Sequence, residues 1–209
     1  DPILEDFDVS AVKTGMLPTI QIIEEVAIVL KENKFKNFVV DPVVRSTSGF
    51  DLIDDKALAA LIKRLFPLST VVTPNIPEAE RISKMKIESE NDITKSARIM
   101  RDLGAKNVLI KGGHFMNSEF RTQSIQVEET KKRTARDFLF VGETLQIFES
   151  DFIDTTATHG TGCTLAAAIT ANLALGKNLG EAVQISKDFV NRAIENAPNI
   201  GKGHSPIGI

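Results

Sequence analysis

The chain has 209 residues, 42% hydrophobic and 25% charged, with a formal net charge of −3. That apolar content excludes a disordered tail, and the slightly acidic balance supplies no basic field for nucleic acid. The single cysteine, Cys163, excludes an intrachain disulfide framework and a cysteine-rich zinc site, so a reducing, cytoplasmic compartment is the simpler expectation.

No stretch reaches the roughly 18 to 20 apolar residues of a membrane span. The nearest, Leu165 to Leu175, is short and contains Thr170 and Asn172. The start, Asp1-Pro2-Ile3-Leu4-Glu5-Asp6, lacks an initiator Met and reads as no signal peptide.

In chain order, Val9 to Thr14 is expected to be a strand and Ile20 to Lys34 a helix, with Ile20, Ile23, Ala27 and Leu30 on one face. Phe38-Val39-Val40 suits a strand buried on both faces, stopped at Asp41-Pro42. Ala57 to Phe66 reads as a helix and Thr70 to Thr73 as a strand. Asn75 then opens a helix, with Glu78 at capping-box spacing. Asn91 to Leu103 is a longer helix closed by Gly104, and Asn107 to Ile110 is a strand running into Lys111-Gly112-Gly113. Residues 115 to 136 carry a basic cluster (Lys131, Lys132, Arg133, Arg136) and read as an exposed excursion. Asp137 to Val141 and Thr144 to Glu149 form a hairpin turning at Gly142-Glu143. Gly160 to Leu175 and Leu179 to Asn196 are the last two helices.

This alternation predicts an α/β fold: a three-layer α/β/α arrangement with a mostly parallel central sheet and a hairpin near one edge. Ligands of such sheets bind beyond the carboxyl ends of the strands. The loops after Val40, Val72, Ile110 and Ile153 are therefore the candidate site.

The last loop, Asp154 to Cys163, is the most informative. Gly160 and Gly162 at the mouth of a small-residue helix leave backbone N–H groups open to an anion, and the helix dipole favours negative charge there. The same dipole is expected to lower the pKa of Cys163 and make it a potential base. Tight helix–strand packing with Cys163 as a small core residue is the competing reading. Neither a Walker A loop nor a complete G-x-G-x-x-G is present, since Leu165 stands at the third glycine. Asp41 and Glu78 could share Mg²⁺ through waters, although Glu78 could equally be a helix cap and Asp41 a turn residue. His114, His159 and His204 lack metal-ligand spacing, and His159 reads as a loop hydrogen-bonding residue.

Together, Thr158-His159-Gly160-Thr161-Gly162-Cys163, Asn75-x-x-Glu78, Val40-Asp41-Pro42-Val43, Lys111-Gly112-Gly113-His114 and Lys13-Thr14-Gly15-Met16 resemble the hydroxymethylpyrimidine/phosphomethylpyrimidine kinases of thiamine biosynthesis, within the ribokinase-like superfamily. The resemblance runs along essentially the whole chain. It implies one ribokinase-like domain over residues 1–209 and ATP- and Mg²⁺-dependent phosphorylation of a hydroxymethyl group, then of the monophosphate. It implies that Gly160, Thr161, Gly162 and Cys163 receive the transferred phosphoryl group, with Cys163 as base. Asn75, Glu78, Lys111 and Gly113 would serve the nucleotide, Asp41 and Glu78 the metal, and Gly15, Met16 and Val43 the pyrimidine. Its partners would be a small-molecule pyrimidine, neither nucleic acid nor membrane, and a homodimer is compatible with it. The family's N-terminal strand and glycine-rich segment find no match here; either the front of the protein lies outside this sequence or the chain is truncated, and in the second case part of the substrate pocket would be absent. A second departure is Arg45-Ser46-Thr47-Ser48-Gly49-Phe50, where an acidic residue is displaced to Asp51.

Pyridoxal kinase is the nearest alternative, because pyridoxal is also a ring bearing a hydroxymethyl group. A sugar kinase is disfavoured by cysteine where that branch has aspartate. A non-catalytic pyrimidine- or nucleotide-binding module is the alternative of a different class.

Overall fold

Alternate residues of the short strands turn to opposite faces, and here both faces are buried. Phe38 and Val40 enter one apolar cluster and Val39 the other; Val108 and Ile110 oppose Leu109, and Phe138 and Phe140 oppose Leu139. A strand covered on both sides has no polar alternation to show, which is why these segments read as continuous apolar runs.

The computed structural model describes residues 2–45, 50–113, 133–198, 200, 203 and 205–208. The elements are α1 (Pro2–Asp6), β1 (Ala11–Thr14), α2 (Ile20–Asn33), β2 (Asn37–Val40), α3 (Asp55–Leu65), β3 (Val71–Val72), α4 (Ile76–Ser83), α5 (Glu90–Asp102), β4 (Asn107–Lys111), β5 (Thr134–Val141), β6 (Thr144–Asp151), α6 (Thr161–Ala174) and α7 (Leu179–Glu195). The six strands form one sheet in sequence order. β1 to β4 are parallel, and β5 and β6 continue as an antiparallel hairpin at the edge. Parallel strands that advance one way through crossovers of one hand put every connecting helix on the same face. Accordingly α2 to α5 pack on one side through Ile23, Leu61, Ile82 and Ile93, while α6 and α7 cover the other through Leu165, Ile169 and Val183. The α/β/α expectation is met.

Several local expectations are corrected. α1 was not expected, and β1 begins at Ala11 rather than Val9. Ile20 is exposed, leaving Ile23, Ala27 and Leu30 as the buried stripe of α2. β5 starts at Thr134, inside the stretch expected to be an excursion. Arg136 lies in that ladder and pairs with Glu90 and Glu149, while Arg133 stacks 4.1 Å from the Phe152 ring. These two cations are therefore committed locally. Lys131, Lys132 and His114 lie outside the described residues, as do Ser46 to Gly49 and His204. Among the described residues, no helix is long and apolar enough to cross a membrane.

Candidate active site

The carboxyl ends of β1 to β4 lie side by side. Asp41 extends the ladder just past β2, its N–H donating to the Thr14 carbonyl at 3.1 Å. Its side chain is 1% exposed, and burying a carboxylate demands partners. Two are supplied: Lys111 Nζ donates to Asp41 Oδ1 at 2.9 Å and the Thr73 hydroxyl at 3.1 Å. Lys111 reaches Asp41 because it closes β4 in the same alternation as Leu109, on the face toward α6. Its backbone N–H is held by the Pro74 carbonyl at 2.8 Å. Burial alone would push the Lys111 ammonium down; the Asp41 and Glu78 carboxylates outweigh it and hold it above its usual value.

The capping box forms as expected. Asn75 Oδ1 accepts from the Glu78 N–H at 2.8 Å, and Glu78 Oε2 accepts from the Asn75 N–H at 2.8 Å. The cap and the site are thus the same object, since Glu78 is 3% exposed and within the field of both Lys111 and Asp41. Burial raises the Glu78 carboxyl above its ordinary value despite the opposing pull of Lys111 and the Asn75 amide.

Over these groups stands the start of α6. Gly160 caps the helix in the left-handed region at φ 86°, without a side-chain cap. The Thr161 hydroxyl donates back to the Thr158 carbonyl at 3.0 Å and the Thr164 N–H to the Gly160 carbonyl at 2.9 Å. The N–H groups of Gly162 and Cys163 take no acceptor among the described residues. A side chain at Gly162 would begin 3.2 Å from Lys111 Nζ, so the glycine brings the helix mouth against the ammonium. Two free amides, a helix dipole and a buried cation make an anion cradle.

Cys163 is exposed in this first turn, so it is no core residue. Its thiol is not activated as expected. Burial pushes its pKa up, and Asp41 adds to this through its charge and as a hydrogen-bond acceptor, against the weaker pull of Lys13 and Lys111. With the pKa held above its ordinary 9.0, the resting group at neutral pH is a thiol.

The structure thus brings Asp41, Asn75, Glu78, Lys111, Thr161, Gly162 and Cys163 to one place. Gly113, at φ +51°, stands two residues after Lys111, and its carbonyl accepts from the Arg136 N–H. Gly15, Met16 and Val43 sit at the ends of adjacent strands on the same rim, Met16 half exposed. His159 uses its backbone N–H, which donates to the Ser205 carbonyl. Thr73, Lys13 and the Asp137–Lys187 pair were given no role from sequence. Thr73 could have been flagged as the hydroxyl that directly precedes Pro74 at a buried strand end.

The fold and this cradle define a phosphotransferase of the ribokinase-like type. The sequence profile described as Phosphomethylpyrimidine kinase matches residues 1–208, and the chain belongs to that family. It is 39% identical over 208 residues to the hydroxymethylpyrimidine/phosphomethylpyrimidine kinase of Staphylococcus aureus (strain MSSA476), covering 99% of this chain and 70% of that protein. The ADP complex of Bacillus subtilis pyridoxal kinase superposes with a TM-score of 0.82 at 37% identity, covering 99% of this chain and 72% of that one. The phosphomethylpyrimidine kinase of Clostridium difficile 630 gives a TM-score of 0.73 at 38% identity, covering 92% and 72%.

Proposed function

We propose that this chain, as one ribokinase-like domain, phosphorylates 4-amino-5-hydroxymethyl-2-methylpyrimidine with ATP and then converts the monophosphate to the pyrophosphate, in thiamine biosynthesis. The observation that carries the reading is the pair of free amides at Gly162 and Cys163, set against the buried Lys111–Asp41 pair with an exposed thiol beside them. Phosphoryl transfer is mostly positioning and charge stabilisation, which such a cradle supplies. The acceptor oxygen attacks the γ-phosphorus, the bond to the bridging oxygen breaks, and ADP leaves with the electron pair. In the first turnover the hydroxyl proton passes to the Cys163 sulfur as the thiol gives its own proton to the Asp41 carboxylate. Cys163 is thus a relay rather than a resident thiolate.

Lys111 and the α6 amides hold the phosphates, with Asn75 and Gly113 on the nucleotide side and Gly15, Met16 and Val43 on the pyrimidine side. The donor set fits Mg²⁺ only in part, since Asp41 Oδ1 and Glu78 Oε2 are already engaged and no cluster of three metal-binding side chains exists among the described residues. Such a pair suits an ion that keeps its waters and arrives on the nucleotide phosphates, neutralising their charge.

The test is ADP release with hydroxymethylpyrimidine, its monophosphate and pyridoxal as separate acceptors. Turnover of both pyrimidines in preference to pyridoxal supports the reading. The superposition with pyridoxal kinase favours a second reading, and preference for pyridoxal would establish it. Binding without ADP release would instead mark a non-catalytic module.

A further inference from the structure

Five charged side chains cross the sheet on the face covered by α6 and α7. Val12, Val40, Ile110 and Phe138 pack with the helices on the other face, so their neighbours Lys13, Asp41, Lys111 and Asp137 turn toward α6 and α7. The fifth, Lys187, comes from α7. Four of these are paired: Lys111 with Asp41 at 2.9 Å, and Lys187 Nζ with Asp137 Oδ2 at 2.6 Å. Lys13 has no acidic partner among the described residues.

Lys13 is half-buried on β1, in register with Val39, and α6 packs on that strand. Its Nζ lies 3.6 Å from where a side chain on Gly15 would begin, so the ammonium folds along the strand toward its carboxyl end. Its charge acts on the Cys163 thiol, as does that of Lys111. Strand order puts Lys13 and Lys111 on opposite sides of Asp41. One cation is neutralised by a carboxylate; the other has no acidic partner among the described residues and lies against Gly15.

We propose that Lys13 binds the phosphate of the monophosphorylated pyrimidine and so sets the selectivity for the second phosphorylation. The inference rests on the function proposed above. In the first turnover the acceptor is a neutral hydroxyl. In the second it is a phosphomonoester dianion that must approach the triphosphate of ATP. One of its oxygens attacks the γ-phosphorus, ADP departs with the electron pair of the broken bond, and no acceptor proton has to leave. The difficulty of the second step is therefore like-charge repulsion, and the group that relieves it must carry charge not already offset. Among the five, only Lys13 meets that condition.

The experiment compares kcat/KM for ADP release with hydroxymethylpyrimidine and with its monophosphate, in wild type, Lys13→Met and Lys13→Arg. Loss of one charge-assisted contact should shift the ratio against the monophosphate by about 10- to 100-fold in Lys13→Met. Lys13→Arg should restore most of it. An equal fall for both acceptors, or an unchanged ratio, overturns the inference. Calorimetric binding of the monophosphate in the presence of AMP-PCP gives a second readout: weakened binding in Lys13→Gln supports the assignment and unchanged binding overturns it. A wild type that releases no ADP with either pyrimidine defeats the underlying function instead, so the two failures are distinguishable.

Discussion

The Lys111 ammonium meets the Asp41 carboxylate at 2.9 Å across β3, which lies between the two strands that position them. The pair joins chain segments 70 residues apart and forms the floor beneath the α6 amides. Removing one member of a buried pair strands the other charge, at a cost of about 3–5 kcal/mol. Lys111→Met should lower the unfolding free energy in urea by that order, because the uncharged Thr73 hydroxyl and Cys163 thiol remain as donors to Asp41 but no cation does. Lys111→Met/Asp41→Asn should recover most of the loss while remaining inactive. A single variant as stable as wild type would show that the pair is solvated in solution.

Glu78 supplies a pH signature. Burial raises its folded carboxyl above the ordinary 4.5, so between 4.5 and the folded value the native state holds a proton that the unfolded chain has lost. Its contribution is full below about pH 4.5 and disappears as pH climbs through the folded value. Glu78→Gln keeps an oxygen for the Asn75 amide and removes the titration. The stability of this variant relative to wild type should rise from pH 4.5 and level off once the pH is above the folded value. Its Mg²⁺ requirement for ADP release should also rise. A stability difference flat across that range, or an unchanged Mg²⁺ titration, would count against the respective half of this assignment.

Cys163 should behave as a sluggish thiol. With its pKa above the ordinary 9.0, alkylation by iodoacetamide should be slow at neutral pH and accelerate only above about pH 9. Asp41→Asn removes both influences of that carboxylate and should move the alkylation profile to lower pH. Cys163→Ala should reduce kcat with the hydroxymethyl acceptor by about 10²- to 10⁴-fold, with little change in the KM for ATP. The monophosphate, which has no proton to give up, should suffer less. Turnover near wild type would remove Cys163 from the proton path.

Two glycines should fail in different ways. A side chain at Gly162 would crowd Lys111 Nζ, the free end of a flexible chain. Gly162→Ala should therefore fold, yet lose up to about 10²-fold in kcat through misplacement of the cradle. At Gly112 the added carbon would collide with the Arg136 backbone carbonyl, which cannot swing away. Gly112→Ala should cost about 1–3 kcal/mol of stability by overpacking, visible as a lower urea midpoint. Similar behaviour of the two variants in both assays would contradict the distinction.

Much of the architecture is legible in the amino-acid sequence. Short apolar runs ended by Pro or Gly, those at 38–40 and 71–72 each followed by a helix, leave few alternatives to a parallel sheet. The capping box was readable because Asn75 and Glu78 interact at fixed local spacing. Elements governed by remote partners were less readable. The ladder from Thr134 is set by pairing with Asp151 on β6 and Lys111 on β4, and the polar composition of 134–136 argued the other way.

By itself the sequence determined the layer arrangement, the strand-end loops that carry the chemistry and the small-residue helix mouth, because these follow from local periodicity, turn residues and missing side chains. Only the tertiary structure decided that Lys111 neutralises Asp41, that Lys13 is left uncommitted and that the Cys163 thiol is held protonated. Those outcomes depend on electrostatic interactions that fall off over a few ångströms between residues far apart in the chain, and no one-dimensional spacing encodes such distances.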